Sequence, residues 1–179
     1  GQYPVVTVTG PRQSGKTTLA RACFAGLRYA NLEQPDVRRF AAEDPRGFLR
    51  QHAGGAILDE FQRVPEIVSY IQAEVDTDAA PGRFILTGSE QLEVLNRVSQ
   101  SLAGRTGLLK LLPFSIEEMI GNYPVRPIER LTYAGFYPRI HAQGLEPAHA
   151  LADYFATAVQ RDLRSLMNVG DLIAFERFV

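Results

Sequence analysis

The stretch GPRQSGKTTLA (Gly10–Ala20) satisfies the pattern G-x-x-x-x-G-K-[ST] in full, and few patterns leave a chain so little structural freedom. Gly10 and Gly15 accept backbone angles that a Cβ penalises. The loop Pro11–Ser14 can therefore turn successive N–H groups, from Arg12 onward, inward around phosphate oxygens, with Arg12 and Gln13 close enough to touch a nucleotide. Lys16 is expected to reach the β- and γ-phosphates, and the Thr17 hydroxyl to ligate Mg²⁺. The phosphates then sit at the N-terminus of a helix starting near Thr17 and Thr18, where the helix dipole favours anions. The flanks agree with this geometry. VVTVT (Val5–Thr9) reads as a buried strand, and TTLARACFAG as a helix closed by Gly26.

The same alternation continues down the chain. YANLE (29–33), GAILDE (55–60), RFILTGS (83–89) and TGLLKLL (106–112) read as four more strands. Between them lie PDVRRFAAEDPRGFLRQH, broken at Pro45, then PEIVSYIQAEVD, opened by Pro65, and EQLEVLNRVSQSLAG, all with helical patterning. Strands alternating with helices predict an α/β fold with about five parallel strands covered on both faces. The character changes after Gly121. NYPVRPIERLTYAGFYPRIHAQGLEP is punctuated by Pro and Gly. From Pro147 onward Ala148, Ala152, Phe155, Val159, Leu163 and Leu166 form an apolar stripe at helical spacing. The expected organisation is therefore a core over 1–121 and a small helical subdomain over 122–179. That subdomain stops on Phe178 and Val179 with no capping residue, as a truncated segment would.

Composition narrows the partners. With 19 Lys plus Arg against 20 Asp plus Glu, a net charge of −1 supplies no electrostatic argument for nucleic acid or an anionic membrane. Only Lys16 and Lys110 are lysines, so an otherwise arginine-rich chain places one of its two ammonium groups in the loop. Cys23 is the sole cysteine and cannot form an internal disulfide, which suits the cytoplasm. No apolar run approaches the ~18 residues of a membrane span, and no signal peptide is legible. His52, His141 and His149 show no metal-ligand spacing.

Two adjacent acids carry the chemistry beyond binding. GAILDEF delivers Asp59 and Glu60 to the carboxyl end of a strand, where sheets of this kind bind ligands. Asp59 can hold Mg²⁺ together with Thr17, and Glu60 can polarise an attacking water. The alternative is a solvated acid pair on a loop. FILTGS presents Thr87 or Ser89 near the γ-phosphate if its strand lies between the loop strand and the Asp59 strand; Ser89, at the very end, is the preferred sensor. Arg105 in AGRTG is either an arginine finger or a surface arginine favourable to a helix C-terminus.

TGPRQSGKTTLAR, AILDEFQRVPE, FILTGS and SLAGRTGLLKLLPFS, in that order, resemble a group of bacterial and archaeal AAA+ ATPases. Members of that group carry an ATPase core followed by a C-terminal domain related in appearance to restriction endonucleases. YAGFYPRI and YFATAVQRDLRSLMNVGDLIAFERF are similar to the segment joining the two parts. The resemblance implies a three-layer P-loop core of the additional-strand type. Gly10, Gly15, Lys16 and Thr17 then form Walker A, Asp59 and Glu60 Walker B, Ser89 the sensor and Arg105 the arginine after it. It also implies a segment before the first strand and further domains after the last helix. The expected activity is Mg²⁺-dependent ATP hydrolysis coupled to domain movement, with self-association or that C-terminal domain as partner. A non-hydrolysing, nucleotide-held switch is the first alternative. A small-molecule P-loop kinase, lacking a legible acceptor pocket or lid, is the second.

Overall fold

A computed structural model describes residues 2–89, 92–124 and 127–159. The chain divides into two compact units, Gly1–Pro113 and Phe114–Val179, taken in turn.

The first unit is built on five strands, β1 (Val5–Thr9), β2 (Arg28–Asn31), β3 (Ala56–Asp59), β4 (Phe84–Thr87) and β5 (Thr106–Lys110). All neighbours run parallel, in the order β2-β3-β4-β1-β5. AILD and FILT, apolar up to their last residues Asp59 and Thr87, are buried at every position, as a strand covered on both faces requires. At the edge, β5 leaves Leu108 and Leu109 more than half exposed. The helices of this unit are α1 (Lys16–Cys23), α2 (Pro35–Glu43), α3 (Pro45–Gln51), α4 (Ile67–Thr77) and α5 (Leu92–Ser101).

The period-two alternation of the strands sorts these helices onto two faces. Ala56, Leu58, Phe84 and Leu86 pack with Ala41 of α2, Phe48 and Leu49 of α3, Ile67 and Ile71 of α4 and Val98 of α5. The intervening Ile57 and Ile85 point the other way, into a smaller cluster with Ala20 of α1. The result is the three-layer α/β arrangement expected from the sequence. Helix breaks follow local chemistry: Asp44 ends α2 and its carboxylate then accepts from Gly47 N at 2.8 Å to cap α3.

The second unit is helical where it is described. Its first helix, α6 (Ile116–Asn122), opens with a reciprocal capping box: Glu118 N donates to Ser115 Oγ at 3.1 Å, and Ser115 N donates to Glu118 Oε2 at 2.7 Å. Then follow α7 (Ile128–Ala134), α8 (Pro138–Gln143) and α9 (Pro147–Tyr154), the last running into one π turn at Phe155–Val159. Pro138 and Pro147 occupy first-turn positions, so the prolines that punctuate this stretch start helices instead of abolishing them. Leu163, Leu166, Phe175, Phe178 and Val179, with the far end of the apolar stripe, lie outside the described residues. No helix among the described residues is long and apolar enough to cross a membrane.

Candidate functional site

Strand register brings the candidate residues to one edge of the sheet. Thr87 at the end of β4 is flanked by Val8 of β1 on one side and Asp59 of β3 on the other. The glycine loop leaves β1 immediately after Thr9, so loop, Asp59, Glu60 and Ser89 share the carboxyl end.

The loop owes its path to backbone positions that most residues disfavour. Gly10 has φ 143°, and a Cβ there would lie 2.0 Å from the Leu111 carbonyl oxygen. That approach is fixed by Leu111 N donating to Thr9 O at 2.7 Å. Gly15, with φ 94°, precedes the first helical residue and lends α1 no side-chain cap. Lys16 is only 7% exposed. Its Nζ donates to Gly10 O at 3.0 Å and Pro11 O at 2.6 Å, so the ammonium closes on the carbonyls of its own loop. Burial pushes the Lys16 pKa down, while Glu60 and Asp59 oppose the shift and Arg12 adds to it.

Asp59 is the hub of the site. Thr17 shares its hydroxyl proton between the two carboxylate oxygens at 3.0 Å each. Thr87 donates to Oδ1, and Tyr29 donates its phenol to Oδ2 at 2.7 Å. The Tyr29 ring lies under the Arg21 guanidinium, 4.9 Å from its centroid. Burial, together with the bond to Asp59, drives the Tyr29 pKa well above its usual value, so the phenol stays a donor.

Glu60 follows in a left-handed conformation, φ 56° and ψ 41°, which starts the 3₁₀ turn Phe61–Arg63. That turn returns Gln62 to the acid: its Nε2 donates to Glu60 Oε2 and to Ser89 Oγ, the latter at 3.2 Å. Burial and the neighbouring Asp59 raise the Glu60 pKa, with Arg12 and Gln62 opposing. Gly88 makes room for this contact, since a Cβ there would meet Gln62 Oε1 at 2.3 Å. Gln62 Oε1 and the loop's Ser14 Oγ are both buried without a hydrogen-bond partner.

The structure therefore brings together Gly10–Thr18, Asp59, Glu60, Thr87 and Ser89, and it leaves Arg105 apart. Arg105 precedes β5, whose first residue Thr106 pairs with Val5, so it emerges at the amino end of the sheet. There its Nε and Nη2 donate to the two oxygens of Asp76, the second at 3.0 Å, and Nη1 donates to Ala103 O. The signal for this was in the sequence: a residue before a parallel strand leaves at the opposite edge from one that follows it. Tyr29 and Gln62 were not singled out. Gln62 stands two residues after Glu60, a spacing that a single turn closes; Tyr29 carries no comparable mark.

Residues 2–120 match the family described as AAA domain. This chain belongs to that family. The AAA domain match spans the five-stranded unit and reaches into α6. Two uncharacterized proteins, one from Mycobacterium tuberculosis and one from Mycobacterium bovis, are each 34% identical over 167 residues. The aligned region is 91% of this chain but 37% of each relative, so the chain spans little more than a third of their length. Among solved structures, a Walker-type ATPase of Pyrococcus abyssi shares the fold at TM-score 0.55 and 17% identity, covering 92% of this chain and 71% of that one. The AAA domain is thus a P-loop nucleotide-binding fold, with the loop, strand order and acids described above.

Proposed function

We propose that this AAA domain binds ATP with Mg²⁺ and hydrolyses it, coupling nucleotide state to movement of the helices that follow the core. The observation that carries this reading is the Thr17–Asp59 pair, with Glu60 beside it and a buried Lys16 closing the loop. The residues fit the ligands. The neighbouring Asp59 disfavours the charged form of the half-buried Glu60 in the absence of a cation. Ser14 Oγ is a buried hydroxyl without a partner in a loop suited to phosphate oxygens.

On this reading, Lys16 exchanges its two carbonyl partners for β- and γ-phosphate oxygens. Thr17 and Asp59 would hold the metal, the Thr17 hydroxyl still donating to Asp59. Glu60, released from Gln62, accepts a proton from the attacking water. Bound Mg²⁺ would neutralise charge on the phosphate oxygens. Thr87 keeps Asp59 aligned, and Ser89 connects through Gln62 to the base. The helices after Gly121, α7–α9 among the described residues, would form the responding subdomain, with self-association or a further domain receiving the movement.

Two observations favour the non-hydrolysing switch instead: Glu60 is engaged by Gln62, and Arg105 is tied to Asp76 at the far edge. Calorimetry and phosphate release together separate the readings. Lys16→Ala should weaken Mg-ATP binding by at least roughly tenfold through loss of a direct phosphate contact. Glu60→Gln should bind normally but turn over roughly 10²–10⁴ times more slowly. A wild-type protein that binds ATP and releases no phosphate would establish the switch.

A further inference from the structure

We propose that Tyr29 is a positioning residue for Asp59, fixing the carboxylate that a divalent cation and Thr17 must share; this inference rests on the nucleotide-site reading above. Each oxygen of Asp59 has one donor of its own and a share of a third. Oδ1 receives Thr87 and a share of Thr17, whereas Oδ2 receives Tyr29 and the other share of the same Thr17 proton. Thr17 is on α1 and Thr87 on β4, while Tyr29 comes from β2, on the other side of β3. Without the phenol, Oδ2 keeps only half of one proton. The terminal torsion of an aspartate is broad, so a carboxylate anchored mainly through Oδ1 can turn.

The phenol is itself held. Tyr29 is 38% exposed, yet its hydroxyl reaches a carboxylate whose residue is 6% exposed, and Arg21 covers its ring at 4.9 Å. Arg21 lies in the last turn of α1, the helix that the phosphate loop opens. Tyr29 thus connects the two halves of the site, the loop helix through its ring and the acid strand through its hydroxyl. Outer groups that orient a metal-binding carboxylate change metal affinity without touching the metal.

Tyr29→Phe isolates the claim, because it keeps the ring and the Arg21 contact and removes only the donor. ADP affinity is measured by calorimetry at stepped MgCl₂ concentrations and once in EDTA. The expected result is a Mg²⁺ midpoint raised by about tenfold, with affinity in EDTA unchanged. On an Asp59→Asn background the same substitution should produce no further shift, since its effect passes through that carboxylate. Equal midpoints in Tyr29→Phe and wild type would overturn the inference, as would equal losses with and without metal, or full additivity with Asp59→Asn. A wild-type protein whose ADP affinity ignores Mg²⁺ would instead overturn the nucleotide-site reading itself, and this inference with it.

Discussion

Glu60 combines a left-handed backbone, at φ 56°, with a half-buried carboxyl group directly after another acid. A non-glycine residue in that conformation stores roughly 1–3 kcal/mol, tolerated here because the 3₁₀ turn and the Gln62 contact hold it in place. The electrostatic part makes stability depend on pH. Burial and Asp59 raise the Glu60 pKa above 4.5, so the folded protein holds this proton more tightly than the unfolded chain does. The resulting stabilisation is complete below the unfolded pKa and is lost as pH rises through the folded one. Glu60→Gln carries the same backbone strain but cannot ionise. In the nucleotide-free protein it should therefore raise Tm near neutral pH, and the gain should shrink on acidification toward the unfolded carboxyl pKa. Thermal melts of both proteins across a pH series check this, and a difference that stays constant with pH would refute it.

At the scale of elements, the join between β1 and α1 depends on Gly10. Alanine there would combine φ 143° with a Cβ 2.0 Å from the Leu111 carbonyl, a backbone atom pinned by its own residue's bond to Thr9. Gly10→Ala should cost about 2–4 kcal/mol in chemical denaturation, and one below about 0.5 kcal/mol would mean that β5 yields easily. This join was legible in the sequence because a complete loop motif between a β-branched run and a helical run admits one local geometry. The other strands were legible from period and punctuation, and AIL and FIL are buried throughout as apolar runs in a sheet covered on both faces should be. The side-chain bonding within the site was less legible. Thr87 sits on Asp59 while Ser89 reaches Glu60 only through Gln62, a division decided by strand register and the turn at Glu60. Tyr29 reaches Asp59 from the neighbouring strand, a contact that depends on lateral strand order and on side-chain reach, neither of which residue spacing encodes.

At the scale of the whole molecule, the placement of Arg105 separates two behaviours. It lies at the amino end of the sheet, so it meets a γ-phosphate only when a second copy presents its own loop there. If Arg105 serves as a finger, turnover per chain should rise with protein concentration. Arg105→Ala should abolish that rise while leaving ATP affinity within a few-fold, because such a group contributes up to ~10³–10⁵ in rate and little to ground-state binding. Phosphate release over a dilution series checks it, and a rate per chain independent of concentration would assign Arg105 to its bond with Asp76 alone. The strand order has another consequence, during synthesis on the ribosome. Val5 pairs with Phe84 and Thr106, so β1 is made first and finds its neighbours last. At about 5–20 residues per second, VVTVT waits roughly 4–16 s for β4 and longer for β5. During that interval a strand destined for the interior of the sheet, between β4 and β5, is unpaired and aggregation-prone, and a nascent-chain chaperone would find its substrate there.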